Sequence, residues 1–234
     1  MIHTEFTSES NDKIVLAGRI FYAVGLFGIG VQHFIFGNFI PVMVPLQPDW
    51  IMGRLIFAYL LGAILIAFGS LMIFGNWKRT TAMISGMLFL LFVLFIHIPQ
   101  HIINHSYSIG SWTIAFKEFA FFGCSFVVAG SFTVSQNAEN KSSLIERFGN
   151  KIIPYSKYPL AIMVFVFGID HFVYTGFVSS LVPAWIPGHI FWTYFAGAAL
   201  VSAGIGLIFN IKQRLAGTML GVMLFILGYN TAYS

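Results

Sequence analysis

Seven apolar runs, each long enough to cross a lipid bilayer and nearly free of charge, dominate this chain. They fall at roughly 14–36, 53–75, 81–98, 112–134, 158–180, 189–210 and 214–231. A helical crossing takes about 20 apolar residues. Lipid offers no partner to an unpaired backbone N–H or C=O, so each run has to satisfy its backbone internally as a helix. The expectation is an all-α polytopic membrane protein with seven transmembrane helices. Of 234 residues, 58% are hydrophobic and only 9% charged, against about 25% charged in soluble domains. That deficit excludes a soluble enzyme, a disordered chain and a nucleic-acid reader, whose surfaces could not be wetted.

Ten of the twelve basic residues lie on one side of these runs. Lys13 and Arg19 enter the first, Lys78 and Arg79 join the second and third, Lys141, Arg147, Lys151 and Lys157 join the fourth and fifth, and Lys212 and Arg214 join the last two. Lys and Arg gather in cytoplasmic loops, so the formal net charge of +4 reads as orientation, with a cytoplasmic N-terminus. The stretch 1–13 is polar, lacks the basic flank and cleavage site of a secretory signal, and reads as a cytoplasmic tail. Residues 135–157 read as a polar cytoplasmic linker. Cys124 is the single cysteine, so no intramolecular disulfide or thiolate metal cage is available.

The segments on either side of that linker are copies. At an offset of 138, Gly30, His33, Phe34, Val44 and Pro45 meet Gly168, His171, Phe172, Val182 and Pro183. After three inserted residues, Gln47 to Asp49, the offset becomes 135, and Trp50, Ile51, Gly53, Tyr59, Gly62, Gly69, Arg79 and Gly86 meet Trp185, Ile186, Gly188, Tyr194, Gly197, Gly204, Arg214 and Gly221. Four spans separate the copies, an even number, so both should face the same way about an axis along the membrane normal. The expected domains are a four-helix repeat at 14–134 and a second at 158–234 whose last helix is absent. Gly62, Gly69, Gly197 and Gly204, with the glycines of the first run, recur at intervals that let helix backbones approach closely.

Ionisable groups inside spans are costly, and each is a functional hypothesis by default. His33 lies 14 residues beyond Arg19 and His171 lies 14 beyond Lys157, which at 1.5 Å per residue is about 21 Å from the cytoplasmic end, in the outer leaflet. Gln32 and its repeat counterpart Asp170 accompany them. His97 closes the third run on the same side, followed by His101 and His105, while Arg54, Lys117, Glu118 and His189 open outer-side spans. The intramembrane polar groups of note are thus all expected in one leaflet.

His97, His101 and His105 recur every four residues, a spacing suited to a metal or a proton relay. Pro99 interrupts that helix, and polar lining of a helix end is the plainer account. No Cys/His ligand set supports zinc. His33 and His171 admit three readings: structural hydrogen bonds, contacts to a lipophile, or a facing pair of haem ligands. Asp170 needs a partner, a hydrogen bond or a proton, and Lys117 or Arg54 are the available cations. Lys117 and Glu118 are adjacent, so they point in different directions and need partners on different spans. The outer turns carry Val-Pro and Trp-Ile-x-Gly at 44–53 and 182–188; Trp50 and Trp185 suit the membrane interface.

Three features together resemble the DoxX-like family of small bacterial membrane proteins. They are Gly30-x-x-His33-Phe34 with its copy Gly168-x-x-His171-Phe172; the Val-Pro, Trp-Ile-x-Gly and Tyr-x-x-Gly series of each half; and His97-Ile-Pro99 leading through Asn104 to Trp112-Thr113-x-x-Phe116-Lys117-Glu118. The resemblance implies a four-helix membrane unit with relatives linked to quinone-coupled sulfur oxidation and other redox systems. His33, His97 and Lys117 are the family-like polar residues, with His171 the repeat copy. This chain departs from the family in being duplicated with an incomplete second half.

The expected function is a bacterial inner-membrane protein that binds a quinone or similar lipophile in an outer polar pocket and supports membrane redox chemistry. His33, His171, Asp170, Gln32, His97, Lys117, Glu118 and Arg54 are the candidate ligand-binding residues, and haem is the less favoured cofactor. The expected partners are the lipid bilayer and a redox protein or a second copy of the chain, with no nucleic acid. A non-catalytic scaffold or assembly subunit is the alternative, and a transporter is a third reading.

Overall fold

The computed structural model describes residues 2–40, 53–104, 108–132 and 143–221. The helices are α1 (Ile2–Phe36), α2 (Arg54–Phe74), α3 (Lys78–Phe92), α4 (Ile98–Ile103), α5 (Ile109–Ser131), α6 (Leu144–Ile152), α7 (Lys157–Val173), α8 (Thr175–Ser180) and α9 (His189–Ile208). A π-turn, Val93–His97, joins α3 to α4, and a 3₁₀ turn, Ile153–Tyr155, joins α6 to α7. Residues 213–221 are helical as well. Five helices are long and apolar enough to cross a membrane: Asp12–Phe36, Arg54–Phe74, Lys78–Ile103, Ile109–Ser131 and His189–Ile208. The pair Leu144–Tyr155 and Lys157–Val173, bent by 45°, counts as a sixth if taken as one span. The chain is therefore an α-helical multi-pass membrane protein. The seventh expected run continues into residues 222–231, outside those described.

Several boundaries differ from the sequence reading. Helix α1 begins at Ile2, ahead of the apolar stretch Asp12–Phe36. The third run does not stop at Pro99. Proline has no N–H to give to residue 95 and would break an α-helix there; instead the turn widens, and the Ile98 N–H reaches back to the Val93 carbonyl. This π-bulge carries the helix on to Ile103. The second half of the 135–157 linker is itself helical. Ser143 accepts from the Glu146 N–H and the Glu146 carboxylate accepts from the Ser143 N–H, a capping box that starts α6 and that the spacing Ser-x-x-Glu encodes. Residues 133–142 lie outside the described set, as does the first outer turn at 41–52.

Helix pairing is antiparallel throughout and rests on glycine. A Cβ on Gly62 would meet the Gly30 carbonyl at 2.8 Å and the His33 Cβ at 2.9 Å, while one on Gly197 would meet the His171 Cβ and the Phe172 ring, each at 2.9 Å. Two turns further, a Cβ on Gly69 would lie 2.9 Å from the Phe27 Cβ, and one on Gly204 2.8 Å from the Phe165 Cβ. The rings flanking these contacts stack alike, Phe34 on Tyr59 with centroids 5.1 Å apart and Phe172 on Tyr194 at 5.7 Å. The α1–α2 and α7–α9 pairs thus make corresponding contacts at corresponding residues. Trp-Ile-x-Gly ends in both copies at a left-handed residue, Gly53 with φ 80° and Gly188 with φ 77°. The following helix starts there, and a side chain at that φ would be strained.

The basic ends of the helices are tied by guanidinium groups. Arg19 donates from Nε to the Ser131 hydroxyl at 2.8 Å and also to the Ser131 carbonyl. Arg79 donates to the Phe132 carbonyl at 3.1 Å and to the Asn150 amide oxygen at 2.6 Å. Two cations therefore cap the last turn of α5, where its orphan carbonyls and dipole favour positive charge. Between these ends, Phe89, Phe122, Phe126, Met83 and Leu65 form the buried core, while Phe21, Ile35, Phe36 and Phe57 face outward, as a lipid-facing surface requires.

Close packing sets a stability prediction. Gly197→Val and Gly62→Val should each cost about 1–3 kcal/mol through overpacking. Gly28→Val, whose Cβ meets no atom within 4 Å, should be nearly neutral. Denaturant unfolding of the three variants in mixed micelles measures the difference.

Candidate functional site

Away from the basic helix ends, part of the buried polar set lies where α5 runs against α7. Gly110, Thr113 and Lys117 recur along one face of α5, and they meet Tyr174, Asp170 and Phe167 in reverse order on α7. The Gly110 N–H donates to the Tyr174 hydroxyl at 3.1 Å. The Thr113 hydroxyl donates to Asp170 Oδ2 at 3.0 Å. The Lys117 ammonium sits 5.6 Å from the centre of the Phe167 ring, within cation–π range. Toward the basic end the same seam closes on small residues: a Cβ on Gly123 would lie 2.5 Å from the Ser156 carbonyl.

Asp170 is 5% exposed, with Oδ2 held by Thr113 and Oδ1 without a hydrogen-bond partner among the described residues. Glu118, one residue past Lys117, turns away from this seam into the core. It is fully buried, and neither carboxylate oxygen meets a donor among the described residues. Lys117 and Glu118 do take different directions on the helix, as their adjacency requires.

The two repeat histidines are buried alike but apart. His33 Nδ1 lies 2.8 Å from the Ile29 carbonyl and His171 Nδ1 lies 2.8 Å from the Phe167 carbonyl, each one turn back on its own helix. Only a donor can bond a carbonyl, so in the neutral imidazole Nδ1 carries the hydrogen and Nε2 is an acceptor. His33 Nε2 accepts from the Ile40 N–H at 3.5 Å, a long contact; no donor to His171 Nε2 is among the described residues. His33 packs on α2 and His171 on α9, while α1 and α7 share no packing interface. The fold thus does not pair the two imidazoles as facing axial ligands.

Other expected site residues scatter. Gln32 is exposed, not part of a buried cluster, although its repeat counterpart Asp170 is buried. The difference comes from the neighbour, since α7 has α5 against that face and α1 does not. Arg54 sits half-buried in the first turn of α2. His97 is fully buried at the end of the π-turn, and His101 stacks on Trp112 with centroids 4.4 Å apart. His105 lies outside the described residues. Among those described, no three His, Cys, Asp or Glu converge as a metal site.

Buried polarity also extends beyond one half of the bundle. Tyr22 of α1 shares a 2.6 Å hydrogen bond with the Ser125 hydroxyl of α5 and donates to the Phe121 carbonyl at 3.2 Å. The Ser85 hydroxyl of α3 donates to Ser125 at 3.2 Å. This hydroxyl cluster lies nearer the basic end, three residues past Arg19, and it corrects the expectation that every notable polar group sits in the outer leaflet. Hydroxyls blend into apolar runs, so only the i, i+3, i+7 recurrence of Glu118, Phe121 and Ser125 marked that face. Thr113 was legible through its spacing of four from Lys117.

A cleft of about 330 Å³ opens elsewhere, between α9 and residues 211–220, lined by Ala203, Gly206, Leu215 and Leu220 with Lys212 at its rim. It is apolar, remote from the carboxylates, and plays no part in their chemistry.

Residues 160–230 match a family model described as a domain of unknown function (DUF8561). That segment holds Asp170, His171 and the second outer turn. Neither a curated protein nor a solved structure matches the chain at a significant level.

Thr113→Val removes the one described donor to Asp170. Interhelical hydrogen bonds in membrane bundles are worth about 0.6 kcal/mol on average and up to about 1.7, so a destabilisation in that range is expected. Tyr22→Phe should cost a similar amount through loss of its bonds to α5. Both are measured by reversible unfolding in detergent.

Proposed function

We propose that the chain is a DoxX-like inner-membrane protein which binds the polar head of a quinone or similar lipophile beside the α5–α7 seam and supports membrane redox chemistry. The observation that carries this reading is Asp170: a carboxylate inside an apolar bundle, held through one oxygen by Thr113, one turn from the Phe167 ring under Lys117, and followed by His171 with Nε2 left as an acceptor. Charged groups at membrane depth are retained where they meet substrate, protons or ions. A lipophile would reach such a seam laterally through the bilayer, its head meeting the Asp170 carboxylate and the Lys117 side, with the His171 imidazole turned toward α9. A bound quinone would supply the two-electron couple, and the chain's own groups would orient its head and hold or exchange protons at Asp170 and His171. Cys124 is the sole cysteine, so electrons would come from a redox partner protein.

In this reading the chain crosses the bacterial inner membrane seven times with its N-terminus in the cytoplasm, as two parallel repeats. The corresponding glycine contacts of α1–α2 and α7–α9 support the repeat, and the clustering of Lys and Arg supports the orientation.

A scaffold or assembly role is the second reading, favoured by the hydroxyl cluster of Tyr22, Ser85 and Ser125 and by the arginine caps on α5, which serve packing alone. Titration separates the two. A folded His33→Ala, His171→Ala, Asp170→Asn variant should bind decylubiquinone at least about tenfold more weakly than the wild type, or about 1.4 kcal/mol, followed by tryptophan quenching in nanodiscs. Equal affinity in the two proteins would reject the lipophile site and leave the scaffold.

A further inference from the structure

The two copies differ in the size of the residues that face the helix following α2 or α9. At the repeat offset of 135, Ala199, Ala203 and Gly206 of α9 stand where α2 carries Ile64, Phe68 and Leu71. Phe68 packs against the buried core that α3 shares. The second copy has no side chain of that size at the matching place, and the three small residues line the cleft of about 330 Å³ between α9 and the 213–221 helix, at the small end of the range for ligand sites. The rim has changed as well, since Lys212 stands where the first copy has Trp77.

Shape and charge both limit what fits. Ala199 lies nine residues before the end of α9 at Ile208, about 14 Å of helical rise and so about half the thickness of a bilayer's hydrocarbon core. The cleft therefore runs from the basic helix ends to the middle of the membrane, the depth of one leaflet. Ile205, Leu215 and Met219 on its walls are exposed, which opens it sideways to lipid. Ala199, Ala203 and Gly206 lie on the side of α9 opposite Gly197 and Gly204, the glycines that meet α7, so α9 stands between the cleft and His171. No acidic residue follows Asp170 in the sequence, and neither wall of the cleft has a carboxylate to neutralise Lys212. Lys157 brings a second cation to the same turn, its ammonium donating to the Asn210 amide oxygen.

We propose that this cleft binds an anionic phospholipid, with one acyl chain lying along Ala199, Ala203 and Gly206 and the phosphodiester at Lys212 and Lys157. The chain restores the apolar contacts that alanine and glycine leave unmade. The phosphate meets lysines whose charge the two helices do not offset, as in basic pockets between membrane helices that take anionic head groups. A neutral lipophile gains nothing from those lysines, and a free anion gains nothing from the apolar walls. The site is distinct in place and ligand from the α5–α7 seam, and it stands or falls independently of the redox reading.

Native mass spectrometry of the full chain in detergent micelles, with phosphatidylglycerol and phosphatidylcholine of identical acyl chains, tests this. The wild type should hold phosphatidylglycerol at least about fivefold more tightly, the factor given by about 1 kcal/mol per basic residue at a membrane surface. Lys212→Gln, at an exposed position, should remove most of that preference and leave phosphatidylcholine bound as before. Ala199→Ile with Ala203→Phe, which returns the residues of the first copy, should weaken both lipids at least about tenfold by filling the apolar walls. Lys151→Gln on α6, an equal loss of charge outside the cleft, should change neither. Equal binding of the two lipids by the wild type would overturn the proposal, as would a preference that survives Lys212→Gln or falls equally with Lys151→Gln. Undiminished lipid binding in the folded alanine pair, or complete displacement of the lipid by millimolar inorganic phosphate, would overturn it too. Should the alanine pair not fold, the lysine variants still decide.

Discussion

The contact of α5 with α7 is the constraint on which the rest of the structure depends. The α1–α2 pair and the α7–α9 pair are each held by glycine-to-backbone approach, and such pairs are separate units until something joins them. Helix α5 does so, packing on α1 and α3 along one flank and on α7 along the other. In lipid the apolar surfaces give little drive for this association, so close approach and interhelical hydrogen bonds must supply it. The seam uses both: Gly123 admits the Ser156 carbonyl at one end, and Thr113, Asp170, Gly110 and Tyr174 bond across the other.

This division also explains where chemistry is possible. On the basic side Gly123 admits the Ser156 carbonyl and the Pro159 ring. On the opposite side the seam carries side chains with unmet acceptors, and those groups are tolerable only because the joining of two helix pairs screens them from lipid. The arginines that cap α5 serve the same joint from its other end, since Arg19 and Arg79 bind consecutive carbonyls that would otherwise face the membrane boundary unbonded. Stability and site are thus coupled through one helix, and substitutions in the seam need a folding control before an effect on binding is interpreted.

Gln32 and Asp170 show what duplication leaves to context. They occupy equivalent positions and follow equivalent turns, yet one is exposed and the other buried. The sequence placed them as a pair because it carries local register, and register is shared. Burial depends on which helix lies alongside, which the repeat pattern does not encode. The π-turn at Val93–His97 is a related case: Pro99 announced a disturbance, but whether the helix would stop or widen was decided by the packing that continues past it.

Read alone, the sequence determined the solvent, the secondary structure and the helix contacts that glycine imposes, because twenty-residue apolar runs and missing Cβ atoms act locally and leave one low-energy choice. It also determined that Lys117 and Glu118 must diverge, since helical geometry separates neighbours. Only the tertiary structure decided that Thr113 meets Asp170 and Lys117 meets Phe167 across the α5–α7 seam while Glu118 is buried in the core, that His33 and His171 serve separate helix pairs, and that Tyr22 meets Ser125. Those outcomes depend on contacts between residues 57 to 103 positions apart, and hydrophobic patterning, nearly uniform around a lipid-embedded helix, does not say which face a neighbour will cover.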